Sequence, residues 1–151
     1  ATSPITSTMF PVISKRKAQN QEYMKVFITS FLITLSIAIT ITFFYFLFPN
    51  IAIGVLYGND YLSAKTDLVW MAVFMLFYTL SHLLVNFFLS VGKVKIVFIP
   101  LLGALVQAVI IWFYHDSITN IIHVSLFTTF IMFICLMGYT GYNLIYETKN
   151  K

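Results

Sequence analysis

Residues Val26 to Phe48 read VFITSFLITLSIAITITFFYFLF, twenty-three residues without a charge, a proline or a glycine. As a helix this run is roughly 35 Å long at ~1.5 Å per residue. The hydrocarbon core of a bilayer is ~30 Å thick, so the run spans it with modest tilt. A soluble helix of that length would carry a polar face. Here the only polar side chains, apart from Tyr45, are Thr29, Ser30, Thr34, Ser36, Thr40 and Thr42. Hydroxyls of that kind bond back to the carbonyls of their own helix, and the pair Ser36 and Thr40 is expected to do so. The run therefore reads as a transmembrane helix.

The composition agrees. Of 151 residues, 60% are apolar and 9% charged, and the mean hydropathy is +0.90. Soluble domains carry about 25% charged residues, so this chain belongs in a membrane, with membrane lipid as its first partner. Sixteen Phe and nine Tyr fit the same setting. The net charge of +4 does not point to nucleic acid, because the basic residues sit at the ends of apolar runs, where lipid head groups lie. Cys135 is the single cysteine. It has no disulfide partner in the chain, no metal-ligand spacing surrounds it, and it is expected to be a packed, inert thiol.

The expected architecture is all-α: a polytopic bundle of about four transmembrane helices preceded by the end of another helix. Residues 1–13 read as that helix end, with Pro11 kinking or ending it. Residues 14–25, SKRKAQNQEYMK, read as a basic cytoplasmic loop or surface helix. The transmembrane region covers 26–145, with spans at about 26–48, 67–91, 96–114 and 118–142, and 146–151 form a cytoplasmic tail. Pro49 and Asn50 end the first span, and Gly58-Asn59-Asp60 marks a turn. Tyr57, Tyr61 and Trp70 mark an interface there, and Trp112 and Tyr114 mark the end of the third span. Gly103, Ala104 and Ala108 give the third span a small-residue face suited to close packing. The opening residues carry no start-like or signal-peptide pattern, which predicts a piece of a longer polytopic protein.

Sidedness follows from charge. Lys15, Arg16, Lys17, Lys25, Lys93, Lys95, Lys149 and Lys151 fall on one side of this span pattern and Lys65 alone on the other. By the positive-inside rule the basic side and the C-terminus are cytoplasmic.

No catalytic constellation is present, no metal site is indicated and no cofactor is called for, so the chain does not read as an enzyme. All five acids lie in loops or at span ends. Within the spans, His82, Asn86 and Ser90 recur at i, i+4 and i+8 and are expected on one helix face. Two readings are open: a polar groove that contacts a hydrophilic substrate or relays a proton, or an interhelical hydrogen bond that locks packing at ~1 kcal/mol. Gln107 reads as a packing residue. Lys15, Arg16 and Lys17 are candidates for contact with a phosphate or head group.

Three stretches resemble the polysaccharide and lipid-linked oligosaccharide flippases (Wzx-like) of the MOP superfamily. MFPVISKRKAQNQEY resembles their FP-x-x-S-[KR] segment. The stretch that begins FPNIAIGVLYGNDYLSA resembles P-x-I-x-x-L-[FY]-G-x-x-Y-x-x-A followed by a Leu-rich span, matched, with two extra residues after the proline, at Pro49, Ile51 or Ile53, Leu56, Tyr57, Gly58, Tyr61, Ala64 and Leu68. FFLSVGKVKIVF resembles L-x-x-x-G-[KR]-x-K, at Leu89, Gly92, Lys93 and Lys95, with one residue fewer between the leucine and the glycine. The chain departs from the family at His115 to Asn120, where many relatives carry P-x-x-G-x-x-G-A-A. The resemblance implies the last four helices of a six-helix, MATE-like lobe, the C-terminal one. It implies alternating access that moves lipid-linked oligosaccharide on an undecaprenyl-type carrier. The missing N-terminal portion of the parent transporter would supply most of the basic cavity. A MATE-like small-molecule antiporter and a four-span accessory protein without transport activity are the rival expectations.

Overall fold

The computed structural model describes residues 3–19, 21–56 and 58–149. Among these residues there are six α-helices: α1 (Ser3–Ala18), α2 (Met24–Leu47), α3 (Pro49–Leu56), α4 (Lys65–Ser90), α5 (Phe98–Phe113) and α6 (Ile118–Lys149). Two 3-10 turns, Asn59–Ala64 and Val94–Val97, lead into α4 and α5. No strand occurs among the described residues. The protein is thus all-α and polytopic, with four segments long and apolar enough to cross a membrane: Met24–Leu47, Asp60–Ser90, Val94–Phe113 and Ile118–Asn143. Backbone groups in hydrocarbon have no water to bond, and helices satisfy them internally.

The helix ends follow from local chemistry. Pro49 restricts Phe48, which leaves helical geometry at φ −127° and ψ 50°, and α2 stops there. Gly92 adopts φ 77°, a conformation that costs a side chain dearly, and turns the chain from α4 toward α5. Pro100 is the third residue of α5, where its missing N–H breaks no intrahelical bond. Ser36 and Thr40 donate to the carbonyls of Leu32 and Ser36, each at 2.8 Å, as expected.

α4 is the hub. It runs antiparallel to α2, with Phe27 stacked on Phe87 near one end (centroids 3.9 Å apart) and Thr42 beside the Ala72 carbonyl near the other. It runs parallel to α6, with Phe77 against Phe130 and Phe88 edge-on to Tyr139, both at 5.0 Å. The core joins Met9 and Ile13 of α1, Phe27 of α2, Leu83, Leu84, Phe87 and Phe88 of α4, and Leu136 of α6. α5 packs on α6 and has no buried residue.

Several expectations are corrected. α1 does not end at Pro11 or at residue 13. Pro11 removes one backbone bond, but Met9 and Ile13 on either side are buried and anchor the helix. The segment 14–25 is therefore only partly a loop: Lys15, Arg16 and Lys17 form the last turn of α1, where good helix formers and positive charge both suit a helix C-terminus. The tail expected at 146–151 is helical through Lys149, because nothing after Gly141 breaks the helix. Cys135 is exposed on α6 rather than packed. Of the small-residue face of α5, Gly103 meets Met132 of α6 while Ala104 and Ala108 face outward. Tyr57 and Lys151 lie outside the described residues, as does the side chain of Lys149.

In lipid, helices associate through packing rather than hydrophobic transfer. Phe87→Ala should therefore cost roughly 2 kcal/mol, chiefly as a cavity in the seam, while Leu105→Ala, at an exposed position, should cost little. Thr34 Oγ1 and Ser81 Oγ are buried without a hydrogen-bond partner. Thr34→Val should accordingly raise stability by about 1 kcal/mol. Reversible unfolding in bicelles measures all three.

Candidate functional site

α4 has two polar aspects, and helix geometry separates them. A step of four residues turns about 40° around a helix and a step of eight about 80°. His82 is exposed, Asn86 is half-buried, and Ser90 has turned into the core. The Ser90 hydroxyl donates to the Phe87 carbonyl at 2.6 Å. The expected three-residue face thus shrinks to His82 and Asn86, and Ser90 is a helix-end residue.

The open face gains a member instead. Tyr78 lies one turn before His82, half-exposed, with the two rings 6.4 Å apart and nearly parallel at 19°. Asn86 donates through Nδ2 to the His82 carbonyl at 2.8 Å, and the same nitrogen lies 3.3 Å from the imidazole. All these contacts stay within α4. The interhelical bond considered for His82 and Asn86 does not form among the described residues. Met71 and Met75 continue the face toward the other end of the helix.

This face lies at membrane depth. His82 precedes Ser90 by eight residues, so it sits about 12 Å from that end of the helix, within the candidate span Asp60–Ser90. An unsatisfied polar group in hydrocarbon costs several kcal/mol. Tyr78, His82 and Asn86 therefore call for water or protein against them, not lipid tails.

The basic end is built differently. The Lys17 ammonium donates to the carbonyl of Val91, just past α4, and so ties α1 to the end of α4. Arg16 donates to the Glu22 carbonyl at 3.1 Å, which closes the turn between α1 and α2. Of the candidate head-group triad, two members are thus engaged as fasteners, and Lys15 is the one left exposed without such a bond. Lys93 donates to Asn143 Oδ1 at 2.7 Å and lies over the Phe88 ring at 5.9 Å, linking the α4–α5 turn to α6. The cavity beside it, between Tyr23, Phe87, Lys93 and Asn143, holds about 10 Å³, room for one water at most. Lys25 pairs with Glu22 at 2.8 Å on the surface.

At the opposite end Thr119 donates to Asp67 at 2.9 Å, and Trp70 meets His123 edge-on at 5.2 Å. His115 donates to the Trp112 carbonyl at 2.8 Å. In mid-span Gln107 donates to Ser125 at 2.9 Å between α5 and α6, the packing role expected of it. No group of three metal-ligating side chains occurs among the described residues.

Comparisons with protein-family profiles, with curated proteins and with solved structures gave no match.

Because His82 and Asn86 bond only within their own helix, replacing both with Leu should leave the fold intact. The expected change in unfolding free energy is within about 1 kcal/mol. Replacing Gln107 with Leu should instead leave the buried Ser125 hydroxyl unpaired and cost about 1–2 kcal/mol. The same unfolding assay separates the two.

Proposed function

We propose that this chain is part of a flippase of the MOP superfamily. The flippase moves lipid-linked oligosaccharide or polysaccharide repeat units, on an undecaprenyl-type carrier, across the cytoplasmic membrane by alternating access. The observation that carries this reading is the polar face Tyr78–His82–Asn86, open and unpartnered by any other helix among the described residues, at the depth of the hydrocarbon. A sugar–pyrophosphate head group cannot cross hydrocarbon unaided. It needs a polar path while its lipid tail stays in the bilayer. Intramembrane ionisable residues of this kind mark such paths by default, and among the described residues no carboxylate, lysine, arginine or other histidine lies as far inside a span as His82.

The sequence resemblance supplies the substrate class, and the charge distribution supplies the sidedness. Lys15, Arg16, Lys17, Lys25, Lys93 and Lys95 gather at one end of the bundle, which we assign to the cytoplasm. Partners in this scheme are the lipid bilayer, the lipid-linked sugar and the rest of the transporter, which would complete the cavity. The work is transport without bond-making, so no catalytic residue or cofactor is invoked. A MATE-like antiporter is the weaker reading, because coupling to protons or sodium favours a carboxylate within the membrane and all five acids lie in loops or at span ends.

Deletion of the parent gene should trap lipid-linked precursor on the cytoplasmic face, and wild type should restore its export. The double variant His82→Leu with Asn86→Leu should reach normal abundance yet restore export at least about tenfold less well. A normal precursor distribution after deletion, with no second transporter, overturns the flippase reading. Full rescue by the double variant removes the α4 face from the transport path.

A further inference from the structure

Lys65 stands apart from every other basic residue. It is the one cation at its end of the bundle among the described residues, and its ammonium takes part in no ion pair or hydrogen bond there. It lines a groove of about 370 Å³ between the end of α2, the start of α3 and the first turns of α4. That volume falls in the roughly 300–1,000 Å³ range of small-molecule sites. The groove has two chemistries. Phe46, Val69 and Trp70 form an apolar wall, while Asn50, Lys65 and Thr66 supply amide, ammonium and hydroxyl groups. The apolar wall belongs to the spans and the polar group to their ends.

The neighbouring carboxylates do not fill it. Asp67 follows Lys65 by two residues, so it lies on the other side of the helix, where Thr119 of α6 donates to it at 2.9 Å. Asp60 and Asp116 are exposed, and neither pairs with Lys65. Three acids against one base give this end no general attraction for anions. Recognition of an anion here therefore rests on the Lys65 contact itself, and one ammonium matches one negative charge.

We propose that this groove binds a phospholipid with an anionic phosphodiester head group. The phosphate is held by Lys65, Asn50 and Thr66, and the acyl chain runs along Phe46, Val69 and Trp70. The site is separate from the α4 polar face, lies at the opposite end from Lys15, Arg16, Lys17, Lys25, Lys93 and Lys95, and does not depend on the transport reading.

Trp70 is the reporter. The chain has two tryptophans, so Trp112→Phe leaves Trp70 alone. The full chain with that substitution is placed in phosphatidylcholine nanodiscs, and quenching by dibrominated phosphatidylglycerol is compared with that by dibrominated phosphatidylcholine. The glycerol lipid should quench with about fivefold higher apparent affinity. Lys65→Gln should abolish the preference, Lys65→Arg should keep it, and Lys95→Gln at the far end should leave it unchanged. Equal quenching by the two lipids, or a preference that survives Lys65→Gln, overturns the proposal. So does loss of the preference on adding millimolar glycerol phosphate, which would make the groove a site for a soluble phosphoester.

Discussion

The ring of Phe87 stacks on Phe27 at 3.9 Å, and the bundle depends on the α4 seam of which that contact is part. Lipid tails are as apolar as leucine, so burial alone does not bring helices together in a bilayer. What remains is dense contact, and α4 offers it to α1, α2, α3 and α6 among the described helices. Its Phe87 meets α2, its Phe88 meets Tyr139 of α6, and Leu83 and Leu84 fill the space beside Met9 and Ile13 of α1. Among the described α-helices α5 packs against α6 alone, and it shows no buried residue.

Polar groups then complete the frame at its ends. Lys17 fastens α1 to the end of α4, and Lys93 fastens the following turn to α6. Both sit near helix C-termini, where positive charge is favoured. At the far end Asp67 and Thr119 join the starts of α4 and α6. The middle of the bundle holds few such bonds: among those described, Gln107 joins α5 to α6 through Ser125, and Thr42 reaches from α2 to the Ala72 carbonyl of α4. Against that background the open face of Tyr78, His82 and Asn86 is the polar feature that the packing does not explain.

Much of this was legible beforehand, and the reason is the solvent. Apolar runs of twenty or more residues leave little choice but spanning helices, so the four spans and the stop at Pro49 read directly from the chain. Back-bonding by Ser36 and Thr40 was equally local. What could not be read was orientation around each helix axis. Ser90 shares an i+8 spacing with His82, yet 80° of rotation puts it in the core. Cys135 sits in an apolar run but faces outward, because in a membrane protein apolar does not mean interior. Tyr78 carried a signal, its place one turn before His82, that becomes meaningful only once α4 is known to leave that face open. The roles of Lys17 and Lys93 as fasteners depend on contacts 74 and 50 residues away along the chain, beyond the reach of any local pattern.

The central claim is that the α4 face around His82 meets water inside the membrane. Its most direct test is the thiol reactivity of His82→Cys in a Cys135→Ser background, probed in native membranes with a charged, impermeant thiosulfonate, with Leu105→Cys as the lipid-facing control. The account predicts rapid modification at position 82 and none at position 105. Equal protection of both positions, with each protein folded and each thiol reactive after denaturation, would contradict it.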